Sequence, residues 1–271
     1  MLLHHARSLL FLPASNARAI EKARGLPCDM VMLDLEDAVP DDRKQEARDQ
    51  AIDALRQGFG ERLTAVRINV AGTLWHGAEM VAVKGSAADY VILPKVETVR
   101  QVADVFSVCQ RPVIAMIESP AGVLGASAIG AAEGTAALFM GTNDLRKDLH
   151  IPAGAGRDGL SLALQQVVLA VRAARIAVFD GVYNRLDDDA GFEAECAHGH
   201  MLGFDGKTLI HPAQIAIANR LFGPDAHAVA DARRLVDAAT GGAERFEGRM
   251  IEAMHVDEAR ALIARAEAQA G

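Results

Sequence analysis

Val113-Ile114-Ala115-Met116-Ile117-Glu118-Ser119 is an apolar run that stops at a carboxylate. A run of this kind reads as a buried parallel strand with its polar tip at the surface. Two more runs end in acids, at Leu33-Asp34-Leu35-Glu36-Asp37 and at Phe139-Met140-Gly141-Thr142-Asn143-Asp144. Two others end in basic residues, at Val66-Arg67-Ile68-Asn69 and Leu93-Pro94-Lys95. One such tip says little. Five with chemically useful side chains describe the catalytic face of a β/α barrel, where the active-site groups come from the C-terminal ends of different strands.

Working outward, eight strands are expected: 8–13, 30–36, 64–69, 90–95, 113–119, 137–141, 177–182 and 205–211. A helical pattern follows each: 17–24, 43–56, 75–83, 98–109, 121–131, 160–174, 188–202 and 212–221. Asp41 and Asp42 suit the start of the second helix, and Thr98 can cap the fourth. The sixth helix comes after a loose Gly/Pro/Ala loop from His150 to Asp158. Strict strand–helix alternation predicts a parallel sheet, and eight units suggest closure into a (β/α)8 TIM barrel. An open doubly wound sheet is the alternative, but no Gly-rich fingerprint follows an early strand. Residues 1–222 are therefore read as one catalytic barrel. Residues 223–271 carry two further helical patterns, 228–239 and 256–268, broken at Thr240-Gly241-Gly242, and form a C-terminal helical appendage.

The chain has 271 residues, a formal net charge of −8 and 51% hydrophobic residues. That is enough for one large domain with a full core. The acidic balance argues against nucleic acid, although arginines can still gather around a small anion. Cys28, Cys109 and Cys196 are isolated, with no CxxC pair, and read as small buried hydrophobes. The apolar stretch near the start is too short for a signal sequence, and no segment is long enough to span a membrane, so a cytoplasmic protein is expected.

Glu118 and Asp144 follow adjacent strands, and two carboxylates with room for water form a hard, oxygen-only site suited to Mg²⁺. Each could instead cap a loop or pair with an arginine. Of Glu36 and Asp37, one could orient metal-bound water and the other fix a basic residue, or the pair could simply begin a helix. Arg67 could hold a carboxylate or developing oxyanion through two points, or pair with Glu36 or Asp37. Lys95 opens the option of a Schiff-base aldolase, with an electrostatic partner for the carboxylates as the other reading. His211, before Pro212, could be catalytic, a supporting hydrogen-bonder or structural. Gly141 and Asn143 are expected to contact substrate together with Arg67.

Seven segments, in order, resemble the citrate lyase β-subunit-like branch of the HpcH/HpaI aldolase/citrate lyase family. They are Arg7–Pro13, Leu33–Val39, Val66–Asn69, Leu93–Glu97, Ile117–Gly122, Gly141–Leu145 and Gly206–Gln214. The resemblance implies a β/α barrel with Mg²⁺ on Glu118 and Asp144. It implies a hydroxy-acid thioester substrate, carried on coenzyme A or an acyl carrier protein. It also implies a homo-oligomer, a trimer or hexamer, whose C-terminal segment packs on a neighbouring subunit. Thioester-cleaving members carry an Asp in a G-x-M-[IV]-D-x-P-like stretch. This chain has Gly248-Arg249-Met250-Ile251-Glu252-Ala253-Met254, so Glu252 takes the Asp position and the Pro is absent. That departure favours carbon–carbon cleavage over thioester hydrolysis.

Overall fold

The structure, a computed structural model, describes residues 1–152 and 154–270. Ala153, inside the expected 150–158 loop, and the terminal Gly271 lie outside the described residues.

Eight parallel strands close into a barrel in sequence order. They are β1 (Ser8–Pro13), β2 (Met30–Asp34), β3 (Leu63–Arg67), β4 (Tyr90–Leu93), β5 (Val113–Ile117), β6 (Thr135–Met140), β7 (Ala177–Asp180) and β8 (Gly206–Leu209). Closure is direct: Ser8, Leu9 and Leu10 of β1 pair with Lys207, Thr208 and Leu209 of β8. The open-sheet alternative is thereby removed. Helices α1 (Ala17–Ala23), α2 (Lys44–Gln57), α3 (His76–Lys84), α4 (Val99–Cys109) and α5 (Pro120–Gly130) connect the first six strands. A short α6 (Thr142–Asp148) follows β6 directly, before α7 (Ser161–Ala174); α8 (Asp189–Leu202) and α9 (Gln214–Leu221) complete the ring. Local chemistry sets these boundaries. Ser119 accepts from Gly122 N at 3.1 Å with Pro120 at the first helical position of α5, and the Gln101 side chain accepts from Thr98 N at 2.9 Å to begin α4.

The strands stop earlier than expected at their C-terminal ends. β2 ends at Asp34, β3 at Arg67 and β5 at Ile117. Glu36, Asn69 and Glu118 therefore lie beyond the ladder, where the chain is free to turn into the cleft.

Two apolar layers follow from the two-residue period of the strands. One fills the barrel and includes Leu9, Met30, Met32, Ile114, Met116 and Phe139. The other packs the alternate side chains, such as Leu10, Val31, Leu33 and Leu138, against the helices. The same parity, carried to the strand ends, points Asp34, Arg67, Glu118 and Gly141 to the barrel mouth.

The appendage contains α10 (Ala226–Ala238) and α11 (Ala253–Ala270). Between them lies an unexpected hairpin of β9 (Glu244–Phe246) and β10 (Arg249–Ile251). Its two turn residues, Glu247 and Gly248, have φ of 45° and 85°. That is the type I′ geometry whose twist matches an antiparallel pair. Leu235, Ile251 and Val256 form a small separate core with Phe246. Arg265 ties α11 to the barrel, donating from Nη2 to Phe222 O at 2.7 Å and Asp205 O at 3.2 Å. Asp205 precedes β8, so this tie is at the end of the barrel opposite the strand tips. No described helix is long and apolar enough to cross a membrane. Cys28, Cys109 and Cys196 are buried and unpaired.

Candidate active site

A cleft of ≈ 440 Å³ opens at the C-terminal ends of the strands. Asp34, Asp37, Arg67, Glu118, Asp144 and Asn143 all line it, on a floor that includes Phe11, Met116 and Phe139.

Arg67 is held by Asp34, the last residue of β2. Asp34 accepts from Arg67 Nε and from Nη2, each at 2.6 Å. The two residues are register neighbours on β2 and β3, both facing inward. Asp34 also accepts from Glu36 N at 2.9 Å and Ala38 N at 3.1 Å, so it shapes the loop after β2 as well. Arg67 Nη1 lies 3.0 Å from Glu36 Oε2 and 3.6 Å from Asp37 Oδ2. Phe11 packs its ring against the guanidinium, 4.9 Å from Cζ to the centroid. Burial works against the Arg67 charge, but Asp34, then Glu36 and Asp37, hold its pKa above the ordinary value. The expected pairing of Arg67 with Glu36 and Asp37 is present, and the Nε/Nη2 edge is not open to a ligand. That edge belongs to Asp34, and Nη1 is the nitrogen turned towards Glu36 and Asp37.

Glu118 is buried. It accepts from the backbone N of Lys95 at 2.7 Å. Burial pushes its carboxyl up to about 7, with the Asp144 charge adding to the rise and Lys95 N–H and Arg67 opposing it. Gly141 makes room for it: a Cβ there would come 2.5 Å from Glu118 Oε2 and 2.9 Å from Met116 Cε. Gly141 is thus a glycine because Glu118 crosses over its backbone. Asp144 sits in the first turn of α6 and lines the cleft beside Glu118.

Glu36 is also buried, and burial pushes it up to about 8, with Arg67 opposing and Asp37, Glu118 and Asp34 adding. Its Oε2, although near Arg67, makes no aligned hydrogen bond. Among the described residues no group of three or more His, Cys, Asp and Glu is arranged around one metal position. A pair such as Glu118 and Asp144 is nevertheless the donor set that Mg²⁺ takes, since it keeps several waters. Glu118, raised by burial and by the Asp144 charge, and the orphaned Glu36 oxygen nearby are groups that a hard cation would relieve.

Lys95 is placed as an electrostatic partner of Glu118, whose carboxyl its charge helps to hold down. Its backbone adopts φ 52°, the side chain is exposed, and no lysine lines the cleft among the described residues. Its N–H donates directly to Glu118, and its ammonium acts on the same carboxyl through charge alone. His211 is exposed and accepts from Ala213 N at 3.2 Å through Nδ1, a turn-closing role at the start of α9. Asn143 lines the cleft and pairs with Asn184, which donates to its Oδ1 at 2.7 Å. Asn184 was missed, because no strand tip or motif marked it. Glu252 is exposed at the end of β10 and does not line the cleft of its own chain.

Residues 7–212 match the HpcH/HpaI aldolase/citrate lyase family, and residues 158–270 match a C-C bond lyase of the TIM-barrel fold. The chain belongs to the HpcH/HpaI aldolase/citrate lyase family. A (3S)-malyl-CoA thioesterase of Cereibacter sphaeroides is 41% identical over 98% of this chain and 96% of its own length. The CitE protein of Mycobacterium tuberculosis, crystallised with magnesium, acetoacetate and coenzyme A, superposes with a TM-score of 0.82 at 32% identity, over 98% of this chain and 100% of that one. A citrate lyase β subunit of the same organism, complexed with oxaloacetate and magnesium, gives a TM-score of 0.74 at 33% identity, over 83% of this chain and 100% of that one. The family thus contains relatives named for carbon–carbon cleavage and for thioester hydrolysis, on one barrel.

Proposed function

We propose that this protein is a Mg²⁺-dependent carbon–carbon lyase that cleaves, or in reverse forms, a 3-hydroxy-3-carboxyacyl thioester of the malyl, citramalyl or citryl type. The observation that carries the reading is the clamped Arg67 facing two carboxylates, Glu118 and Asp144, across one cleft. Family membership and the magnesium and coenzyme A in the related crystal structures support it. Glu118 and Asp144 would hold Mg²⁺, which when bound supplies Lewis-acid polarisation of the substrate hydroxyl and of the keto oxygen it becomes.

The chain's own residues do the rest. Asp34 fixes the Arg67 guanidinium, so that Nη1 stabilises negative charge without reorganising as the reaction proceeds. Glu36, pushed up to about 8, has the basicity of a group that takes and returns a proton near neutral pH. It stands 3.0 Å from Arg67 Nη1 and does not itself line the cleft, so it would accept the hydroxyl proton through a bridging water as the carbon–carbon bond breaks and a keto acid leaves. The electron pair stays on the thioester enolate, which is then protonated to an acetyl-type thioester. Asp37, at the rim, keeps Nη1 directed at the cleft. The thioester carrier is coenzyme A or an acyl carrier protein. The active form is proposed to be a homotrimer or hexamer, with Glu252 reaching the cleft of a neighbouring subunit.

Thioester hydrolysis is the second reading, favoured by the 41% identical malyl-CoA thioesterase. Incubation with malyl-CoA and Mg²⁺ separates the two. Glyoxylate and acetyl-CoA without free thiol mark a lyase, whereas stoichiometric free coenzyme A with malate marks a hydrolase. Neither product from malyl-, citramalyl- or citryl-CoA would sink both.

A further inference from the structure

Four charged side chains meet inside the barrel wall, and none of them lines the cleft. Asp180, the last residue of β7, is fully buried. Its Oδ2 accepts from Arg157 Nη1 at 2.8 Å and Lys207 Nζ at 3.0 Å. Its Oδ1 accepts from Arg157 Nη2 at 2.5 Å and Gly181 N at 2.7 Å. Glu195 of α8 completes the set, 2.8 Å from Lys207 Nζ and 3.3 Å from Arg157 Nη1. Gly199 of the same helix leaves the space, since a Cβ there would come 2.6 Å from Asp180 Oδ2. Burial works against the Asp180 charge, but Lys207 and then Arg157 hold its pKa below the ordinary value. Buried ion pairs add little stability over apolar side chains of similar volume. What this cluster supplies is position, because Arg157 comes from the connection between α6 and α7 while its partners stand on β7 and α8.

The element so positioned is α6. It is 7 residues long, far below the roughly 12–15 at which an isolated helix is even marginal, so it has to be held from outside. At its start, Thr142 packs on Gly181, where an added Cβ would meet Thr142 Oγ1 at 2.5 Å. Near its end, Arg146 donates to Ala155 O at 2.6 Å and Gly156 O at 3.0 Å. Gly181 directly follows Asp180, and Gly156 directly precedes Arg157. Both supports of α6 therefore converge on the Arg157–Asp180 pair. Lys207 donates to Gly181 O at 2.6 Å as well as to Asp180, so the β7 side is held twice. The other side has Arg157 alone, whose Nε is buried without a partner, leaving the two terminal nitrogens to make the attachment.

We propose that Arg157 is a positioning residue for the metal pair: by gripping Asp180 it closes the connection after α6 onto the same residue that supports the start of α6, and so fixes the Asp144 carboxylate opposite Glu118. The proposal rests on the reading of Glu118 and Asp144 as the Mg²⁺ ligands. Arg157 touches neither substrate nor metal and acts through Arg146 and α6.

The test compares wild type with Arg157→Gln, Arg157→Lys and Arg172→Gln. Mn²⁺ affinity is read by electron paramagnetic resonance without substrate, and backbone hydrogen exchange across α6 by mass spectrometry. Arg157→Gln leaves Lys207 on Asp180, so the carboxylate keeps a counter-ion and the barrel should fold. Mn²⁺ should bind about 10–100-fold more weakly, the usual effect of removing a group that supports metal ligands, and α6 should exchange faster. Arg157→Lys should recover part of the affinity, since an ammonium restores the charge but not the two-point bond. Arg172→Gln removes an ion pair to Asp205, 2.6 Å long, at the opposite end of the barrel, and should leave Mn²⁺ affinity and α6 exchange unchanged. Wild-type affinity in Arg157→Gln overturns the proposal. So does an equal loss in Arg172→Gln, which would mark a general loss of stability. If Arg157→Gln does not fold, the same readings on Arg157→Lys decide. Failure of the wild-type protein to bind Mn²⁺ overturns the metal reading instead, and the exchange data then decide on their own whether Arg157 holds α6: faster exchange upholds it and unchanged exchange refutes it.

Discussion

Replacing Asp34 by Asn changes one atom and tests whether the Asp34–Arg67 clamp organises the site. The carboxylate accepts four hydrogen bonds: Oδ1 from Arg67 Nε and Glu36 N, Oδ2 from Arg67 Nη2 and Ala38 N. An amide retains one oxygen and turns an NH₂ group towards two donors. One charge-assisted bond is lost, worth about 1.5–3 kcal/mol, and one neutral bond, worth about 0.5–1.5 kcal/mol. Asp34 is 1% exposed, so water cannot replace it. Breaking a buried ion pair from one side costs about 3–5 kcal/mol. The Glu36 carboxylate, 3.0 Å from Nη1, remains to balance the guanidinium, which sets the expectation at about 3–4 kcal/mol, the lower part of that range. For a chain of this length each kcal/mol lowers Tm by about 2–4 °C, so calorimetry should show a fall of roughly 10 °C. With Arg67 free to reorient, kcat on malyl-CoA should drop about 10²–10³-fold, the usual effect of losing one preorganised donor. A variant that melts within about 2 °C of wild type and turns over normally would refute the clamp, because it would show that Arg67 is positioned by something else.

Activity should vanish in EDTA and return with Mg²⁺ or Mn²⁺, and Glu118→Ala or Asp144→Ala should abolish it in a folded protein; full activity in EDTA would remove the metal from the mechanism. Arg67→Lys should fold and lose about 10²–10³ in rate, because an ammonium cannot keep the two-point bond to Asp34 while facing the cleft; steady-state kinetics showing wild-type turnover would make Arg67 structural. Gly141→Ala should destabilise by about 1–3 kcal/mol through overpacking, and should also depress turnover by displacing Glu118, whereas denaturant melts and rates matching wild type would mean that Glu118 has another place to go. Deleting residues 223–271 should weaken both oligomer and activity in sedimentation and rate assays. Glu252→Ala should affect thiol release more than carbon–carbon cleavage, and a fully active wild-type monomer would end the shared-site idea.

The sequence by itself determined the eight strand–helix units and the placement of Glu36, Arg67, Glu118 and Asp144 at strand ends. It could do so because these are local properties. Apolar runs, caps such as Ser119-Pro120, and the two-residue period that carries Met30, Met32 and Asp34 to one side are all written within a few residues of one another. The tertiary structure decided whatever depends on how one strand is staggered against the next. That Asp34 stands beside Arg67 follows from the β2–β3 register. Which edge of the guanidinium remains for a ligand follows from it in turn. Lys95 offered a charged strand tip, yet with its backbone left-handed and its side chain exposed it is the N–H that touches Glu118, while the ammonium acts on that carboxyl by charge alone. Asn184 reached the cleft because β7 neighbours β6, bringing it against Asn143 from 41 residues away. The hairpin that precedes Glu252 was illegible for a different reason: its three-residue strands are held largely by distant partners, the small core of Phe246, Ile251 and Leu235 and the Arg234–Glu247 ion pair. Isolated hairpins have too little burial to announce themselves in a local pattern.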